Sequence, residues 1–188
     1  MVYILMALFA AGIVAADQLS KLWVVNHIGS YLCADSAACA AHLQGLESVY
    51  AIGIEEMQAL PRYVNGIDGL AGLMHVHNTG AAFSSFQGAQ WLFILVFVLF
   101  TAALIYEFIT HKMGFSGFEC WCIAAIYGGA LGNMIDRLRL GFVVDMIHLE
   151  FMEFPIFNVA DCFITCGCIL LIVSILFFHK DFWKEEKK

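Results

Sequence analysis

The chain has 188 residues, 62% of them hydrophobic, with nine Lys or Arg and a formal charge of −7 at pH 7. That composition is a membrane protein's, and it excludes nucleic acid as a partner because no basic stripe is present to meet phosphates. The seven cysteines form no zinc pattern: Cys120, Cys122, Cys162, Cys166 and Cys168 lie in apolar stretches without His at ligand spacing and read as small packing residues, so neither metal nor cofactor is expected.

Four apolar runs reach the roughly 20 residues that a helix needs to cross a bilayer. They predict spans over about residues 2–25, 89–109, 118–137 and 160–179. The first carries an Ala-rich VAAD at Val14 to Asp17 that resembles a signal cleavage site. No Lys or Arg precedes it and the apolar pattern continues to Val25, so it reads as a span. His111 and Lys112 link spans two and three, and Lys180, Lys184, Lys187 and Lys188 form the tail, which puts these segments and both termini on the cytoplasmic side. The segment of about 27–88 holds Asp35, Glu47, Glu55, Glu56 and Asp68 against Arg62 and faces outward, as does the loop of about 138–158.

No repeat or Pro/Ser-rich linker divides the chain, so one membrane domain over 1–188 is expected. Within the outward segment, Val49 to Ile54 reads as a strand and Tyr63 to Gly72 as a Gly-punctuated loop. Cys33 and Cys39 share this segment, where an oxidising compartment permits a disulfide. The small residues of HVHNTGAAFSSF, from His75 to Phe86, suit close backbone packing at the membrane edge.

Several polar residues interrupt the spans. Asp17 and Lys21 are spaced i, i+4 on span one with the acid N-terminal to the base, the better orientation for a helical ion pair. Gly128 and Gly132, extended by Gly129, make a step of small residues that lets helices approach closely in lipid. Asn133, Asp136 and Arg137 end span three in a polar cluster whose expected role is support.

Asp145 and Asp161 stand apart, because ionisable groups at the rims of apolar segments are costly and mark functional sites. Asp145 follows Phe142, Val143 and Val144, whose β-branched character presents it from extended backbone. Asp161 lies three residues after Asn158, a plausible N-cap for span four, which alone would indicate a capping box. Together, two facing carboxylates share a proton, and a water between them can be activated by one while the other protonates the carbonyl or leaving amine. Neither a GxSxG elbow nor an HExxH zinc motif offers a different hydrolytic mechanism.

At these residues the chain closely resembles the lipoprotein signal peptidase (signal peptidase II) family of membrane aspartyl peptidases. The blocks DQLSK (Asp17 to Lys21), NTGAAFS (Asn78 to Ser84), GNMIDRLRLGFVVDMI (Gly132 to Ile147) and FNVADCFI (Phe157 to Ile164) appear in the family's order. The resemblance implies a catalytic pair at Asp145 and Asp161, with supporting positions at Asp17, Lys21, Asn78, Gly80, Gly132, Asn133, Asp136, Arg137, Asn158 and Ala160. It implies an all-α membrane core of four helices, with an extracytoplasmic β-like cradle and an interfacial helix between spans one and two. The implied partners are membrane lipid and a diacylglyceryl prolipoprotein, cut on the N-terminal side of its lipidated Cys. The implied setting is the bacterial cytoplasmic (inner) membrane, with the active site at the outer face, and a monomer is expected. Leu22 to His77 is longer than the family pattern implies, so the cradle region is expected to be elaborated. A proton- or ion-coupled transporter is the alternative from another class, since intramembrane Asp, Asn and Lys also mark ion pathways. It predicts half-helices or an internal repeat, and neither is visible in the sequence. A four-span scaffold without chemistry would leave the acids and Arg137 without a role.

Overall fold

A computed structural model describes residues 2–30, 60–80, 90–112 and 114–178. Among the described residues, four helices are each long and apolar enough to cross a membrane: α1 (Val2–His27), α2 (Gln90–Thr110), α3 (Gly117–Leu140) and α4 (Val159–Phe177). They overlie the four predicted spans, with no end displaced by more than three residues. Between them lie β1 (Tyr63–Ile67), β2 (Ala71–Asn78) and β3 (Val143–Leu149), which form one antiparallel sheet in the order β1-β2-β3.

The glycines of α3 determine how the bundle closes. A Cβ on Gly128 would stand 2.9 Å from the Ala10 carbonyl oxygen of α1, and one on Gly132 would stand 2.6 Å from Asp17 Oδ2. Gly129, one position on, faces α4 instead, where a Cβ would come within 2.5 Å of the Ala160 carbonyl oxygen. Small residues therefore bring α3 against α1 with one edge and against α4 with the next. In lipid, such close packing replaces the hydrophobic driving force that is missing between helices. Helix α2 is different: none of its residues is buried.

Both ends of α3 are stopped by local chemistry. Ser116 and Glu119 form a capping box at the N-terminus, and the buried Glu119 carboxylate also accepts from Ser174 Oγ of α4 at 3.1 Å. At the other end Gly141 adopts φ 78° and its N–H bonds the Arg137 carbonyl, a left-handed cap that turns the chain into β3.

The sheet is seated on the end of α1. Val24, Val25 and Ile28 pack with Phe142, Val144 and Met146 in an apolar cluster, so β3 lies beside the helix ends. One expectation is corrected here. Tyr63 to Gly72 is not a loop but β1, a tight turn and the start of β2. Its glycines are the reason a hairpin fits. Gly69 takes φ 69° in the turn, Gly66 sits at the register shift between Asn65 and Ile67, and a side chain on Gly72 would collide with the Tyr63 ring. Glu150 fastens the hairpin by accepting from the Tyr63 hydroxyl and from Gly69 N–H. The cradle thus draws β3 from the loop after α3 as well as strands from the first outward segment. The strand expected at Val49 to Ile54, the pair Cys33 and Cys39, and residues 81–86 lie outside the described residues. So does the basic tail, and the interfacial helix is not among the described elements.

Candidate active site

The two carboxylates selected from the sequence face one cavity of about 740 Å³ where β3, α3 and α4 meet. Asp145 is on β3, as its β-branched neighbours predict, and Asp161 is in the first turn of α4. A backbone clasp brings the two segments together: Met146 and Ile147 N–H donate to the Phe157 carbonyl at 3.0 and 2.7 Å, and Phe157 N–H returns a bond to Ile147. Asn158 is therefore delivered next to Asp145 just as helix α4 begins.

Three asparagines then frame the acids. Asn78 Nδ2 donates to Asp145 Oδ2 at 2.8 Å, and Asn158 Nδ2 donates to Asp145 Oδ1 at 2.7 Å. Asn133 Nδ2 donates to Asp161 Oδ1 at 2.8 Å, while Asn158 N–H donates to Asp161 Oδ2 at 3.1 Å. Asn158 Nδ2 also reaches Asn133 Oδ1 at 3.1 Å, which joins the two halves of the frame. Its Oδ1 accepts from Asp161 N–H, so the capping box and the link between the acids are built from the same residue. These donors are neutral amides, which orient a carboxylate without supplying a full positive charge. Burial is the largest influence on Asp145 and pushes its carboxyl up to about 7, the Asn78 bond opposing this and the nearby Asp161 charge reinforcing it. Burial thus favours the protonated form of the Asp145 carboxyl.

Behind the asparagines lies a buried ionic cluster. Lys21 Nζ pairs with Asp17 Oδ2 and Asp136 Oδ2, both at 2.8 Å, and donates to Asn133 Oδ1 at 2.9 Å. Asp17 accepts from Ala160 N–H at 3.0 Å and Asp136 from Val144 N–H at 3.3 Å. The cluster thus grips the backbone beside each candidate catalytic residue, Ala160 before Asp161 and Val144 before Asp145. Asp136 pairs with Lys21 rather than with its neighbour Arg137. The Arg137 guanidinium instead donates to the Gly80 carbonyl at 3.1 Å and lies 4.2 Å from the Phe93 ring centroid of α2. Gly80 N–H bonds Asn78 Oδ1 at 2.9 Å, which orients the amide that meets Asp145.

Two contributors lacked a sequence signal of their own. Gln18 Nε2 donates to Asp136 Oδ1 at 2.8 Å and to the Gly132 carbonyl at 3.2 Å, and only its place inside DQLSK pointed to it. His75 is fully buried, with Nδ1 3.0 Å from the Ile28 carbonyl oxygen and Nε2 3.0 Å from His77 Nε2. A carbonyl only accepts, so the His75 proton sits on Nδ1, and its other nitrogen accepts from His77. Burial lowers His75 to about 4, so it remains neutral and ties β2 to the end of α1. No cluster of three or more His, Cys, Asp or Glu residues suited to a metal occurs among the described residues.

Residues 9–177 match the family described as signal peptidase (SPase) II. The chain belongs to the signal peptidase II family. It is 38% identical over 177 residues to a lipoprotein signal peptidase of Streptococcus pyogenes serotype M2 (strain MGAS10270), covering 93% of this chain and 90% of that one. A lipoprotein signal peptidase from serotype M5 (strain Manfredo) is 37% identical over the same share of each chain. Among solved structures, a bacterial membrane enzyme determined by the in meso method is similar with a TM-score of 0.64 and 28% identity, over 98% of this chain and 92% of that one. A second such enzyme gives a TM-score of 0.63 and 27% identity over 93% and 92%. The signal peptidase II chain described here is thus a multi-pass membrane peptidase whose four helices and sheet together form the candidate site.

Proposed function

We propose that the chain is an aspartic endopeptidase that removes the signal peptide from diacylglyceryl-modified prolipoproteins, cutting on the N-terminal side of the lipidated Cys. The observation that carries this reading is the placement of Asp145 and Asp161 on one cavity, joined through Asn158 and Asn133 and opening along apolar walls of α2, α3 and α4. Asp145, its carboxyl pushed up to about 7, supplies a proton to the carbonyl oxygen of the scissile peptide. Asp161 takes a proton from the attacking water as its oxygen bonds to the carbonyl carbon. The resulting tetrahedral species collapses by breaking its C–N bond as Asp161 passes its proton to the departing amine and Asp145 takes back the proton from the former carbonyl oxygen, which restores both acids. Neither a covalent intermediate nor a metal is required.

Asn78, Asn133 and Asn158 set the angle of the acids, Asp17, Lys21 and Asp136 hold the backbone behind them, and Arg137 clamps Gly80. Gly132 and Ala160 provide the close approach that this packing needs. The apolar walls suit a signal helix and acyl chains, whose burial contributes about 0.8 kcal/mol per CH₂. One membrane domain, acting as a monomer with both termini in the cytoplasm, would hold the cavity at the outer face. There the cleavage site of an inserted signal peptide meets water.

The test is to incubate the detergent-purified protein with a diacylglyceryl-modified prolipoprotein and with its unlipidated counterpart. The expected result is a shortened product from the lipidated substrate and little from the other. Equal cleavage of both would remove the lipid from the specificity, and no cleavage of either would refute the reading.

A further inference from the structure

At the end of the bundle remote from both carboxylates, α1, α2 and α3 leave a second cleft of about 460 Å³, within the range of about 300–1,000 Å³ usual for small-molecule sites. Ala7, Ala10 and Ala11 of α1 and Ala124 of α3 line it as a floor of small side chains. The slot follows α3 from Cys120 to Leu131, roughly 16 Å at about 1.5 Å per residue. At the mouth are Glu107 and His111, and the next residue, Lys112, holds its ammonium 5.5 Å from the Tyr106 ring centroid.

We propose that this cleft binds one membrane phospholipid, an acyl chain lying along the alanine floor and an aminophosphate headgroup meeting His111, Lys112 and Glu107. The surroundings of the slot are the bilayer itself, and an apolar cavity is not filled by water. Elongation along the helix axes suits a chain rather than a compact ligand. The His111 imidazole at the mouth and the Lys112 ammonium one residue beyond the lining offer donors for a phosphate, beside the Glu107 carboxylate for an ammonium, which matches phosphatidylethanolamine and has no counterpart in an uncharged diacylglycerol.

The site is coupled to the cavity that holds the acids. Tyr127 lines the cleft, and its ring also stacks on Phe97 at 5.6 Å and lies 6.1 Å from Phe100, both of which line the larger cavity. Because α2 has no buried residue, its position depends on what lies beside it. A lipid against Tyr127 holds the catalytic face of α2 in place.

Native mass spectrometry of the full chain, stripped of co-purified lipid and given phosphatidylethanolamine or diacylglycerol, reads binding independently of any cleavage. Failure here is therefore distinct from failure of the peptidase assignment. The expected result is one phosphatidylethanolamine retained per chain, at least tenfold over diacylglycerol. Ala7→Phe, which adds a ring to the floor from an exposed position, should abolish retention, and Lys112→Gln should reduce the preference between the lipids. Ala124→Leu replaces Ala7→Phe if that variant elutes or melts abnormally. In the cleavage assay the same lipid should lower KM for the unaltered enzyme and not for the floor variant. Equal retention of the two lipids, or retention unchanged in the floor variant, would overturn the site. A KM indifferent to lipid would overturn the coupling.

Discussion

Helices α1, α3 and α4 on one side and α2 on the other are packed by opposite rules. The first three meet through glycines, buried amides and a buried Lys21 between two carboxylates, an arrangement in which a single added carbon collides with its neighbour. Helix α2 buries no residue and is held by ring contacts, Phe97 and Phe100 on Tyr127 and Phe93 on Arg137. Yet both regions line the same cavity. The two regions divide accordingly: α1, α3 and α4 are tightly packed around the acids, and α2, the remaining wall of the cavity, is loosely packed.

The strongest way to break this contrast is Lys21→Met. It would leave Asp17 and Asp136 facing one another in a buried site, and removing one partner of a buried ionic cluster costs about 3–5 kcal/mol. Thermal unfolding in detergent should show a large fall in Tm together with loss of cleavage. Gly132→Ala is the next test. Its Cβ would stand 2.6 Å from Asp17 Oδ2, and overpacking of this kind costs about 1–3 kcal/mol. A wild-type Tm for this variant would contradict the tight packing of α1 on α3.

The pH response should follow Asp145. With its carboxyl raised from 3.8 to about 7 by burial, the group favours the folded state when protonated. Its stabilising contribution is complete below about pH 4, declines as pH rises and is lost above about 7. Cleavage should fall over the same upper range, because the proton donor is consumed, and the apparent value belongs to the pair. A kcat/KM that stays level to pH 9 would contradict a protonated Asp145. The smallest effect is expected on the loose wall. Val96→Ala on α2 should change stability by less than about 0.5 kcal/mol while raising KM with little change in kcat. A stability loss as large as that of Gly132→Ala would show that α2 is not loosely held.

Much of this architecture was legible in the sequence because it rests on local spacing. The i, i+4 pair Asp17 and Lys21, the cap at Asn158 and Asp161, the extended run before Asp145 and the glycine step of α3 each appear as expected. Contacts between distant segments were less accessible. Nothing local tells Asp136 to bind Lys21 of α1 rather than the adjacent Arg137, or tells Arg137 to reach the Gly80 carbonyl. Asn78 and Gly80 came only from the resemblance to a family. The hairpin at Tyr63 to Gly72 was misread because glycine marks both irregular loops and the bulges and turns of a tightly paired ribbon. Only the partner strand distinguishes the two.

The central claim is that Asp145 and Asp161 perform the hydrolysis as one unit. The direct measurement compares turnover of a lipidated prolipoprotein by the unaltered enzyme with that of Asp145→Asn and Asp161→Asn, each first shown to elute and melt as a folded protein. Asn keeps the side-chain volume but cannot ionise, so it can neither give nor take the proton, and each variant should lose several orders of magnitude in kcat, as residues acting as a unit do. Near-normal turnover by either folded variant would contradict the assignment.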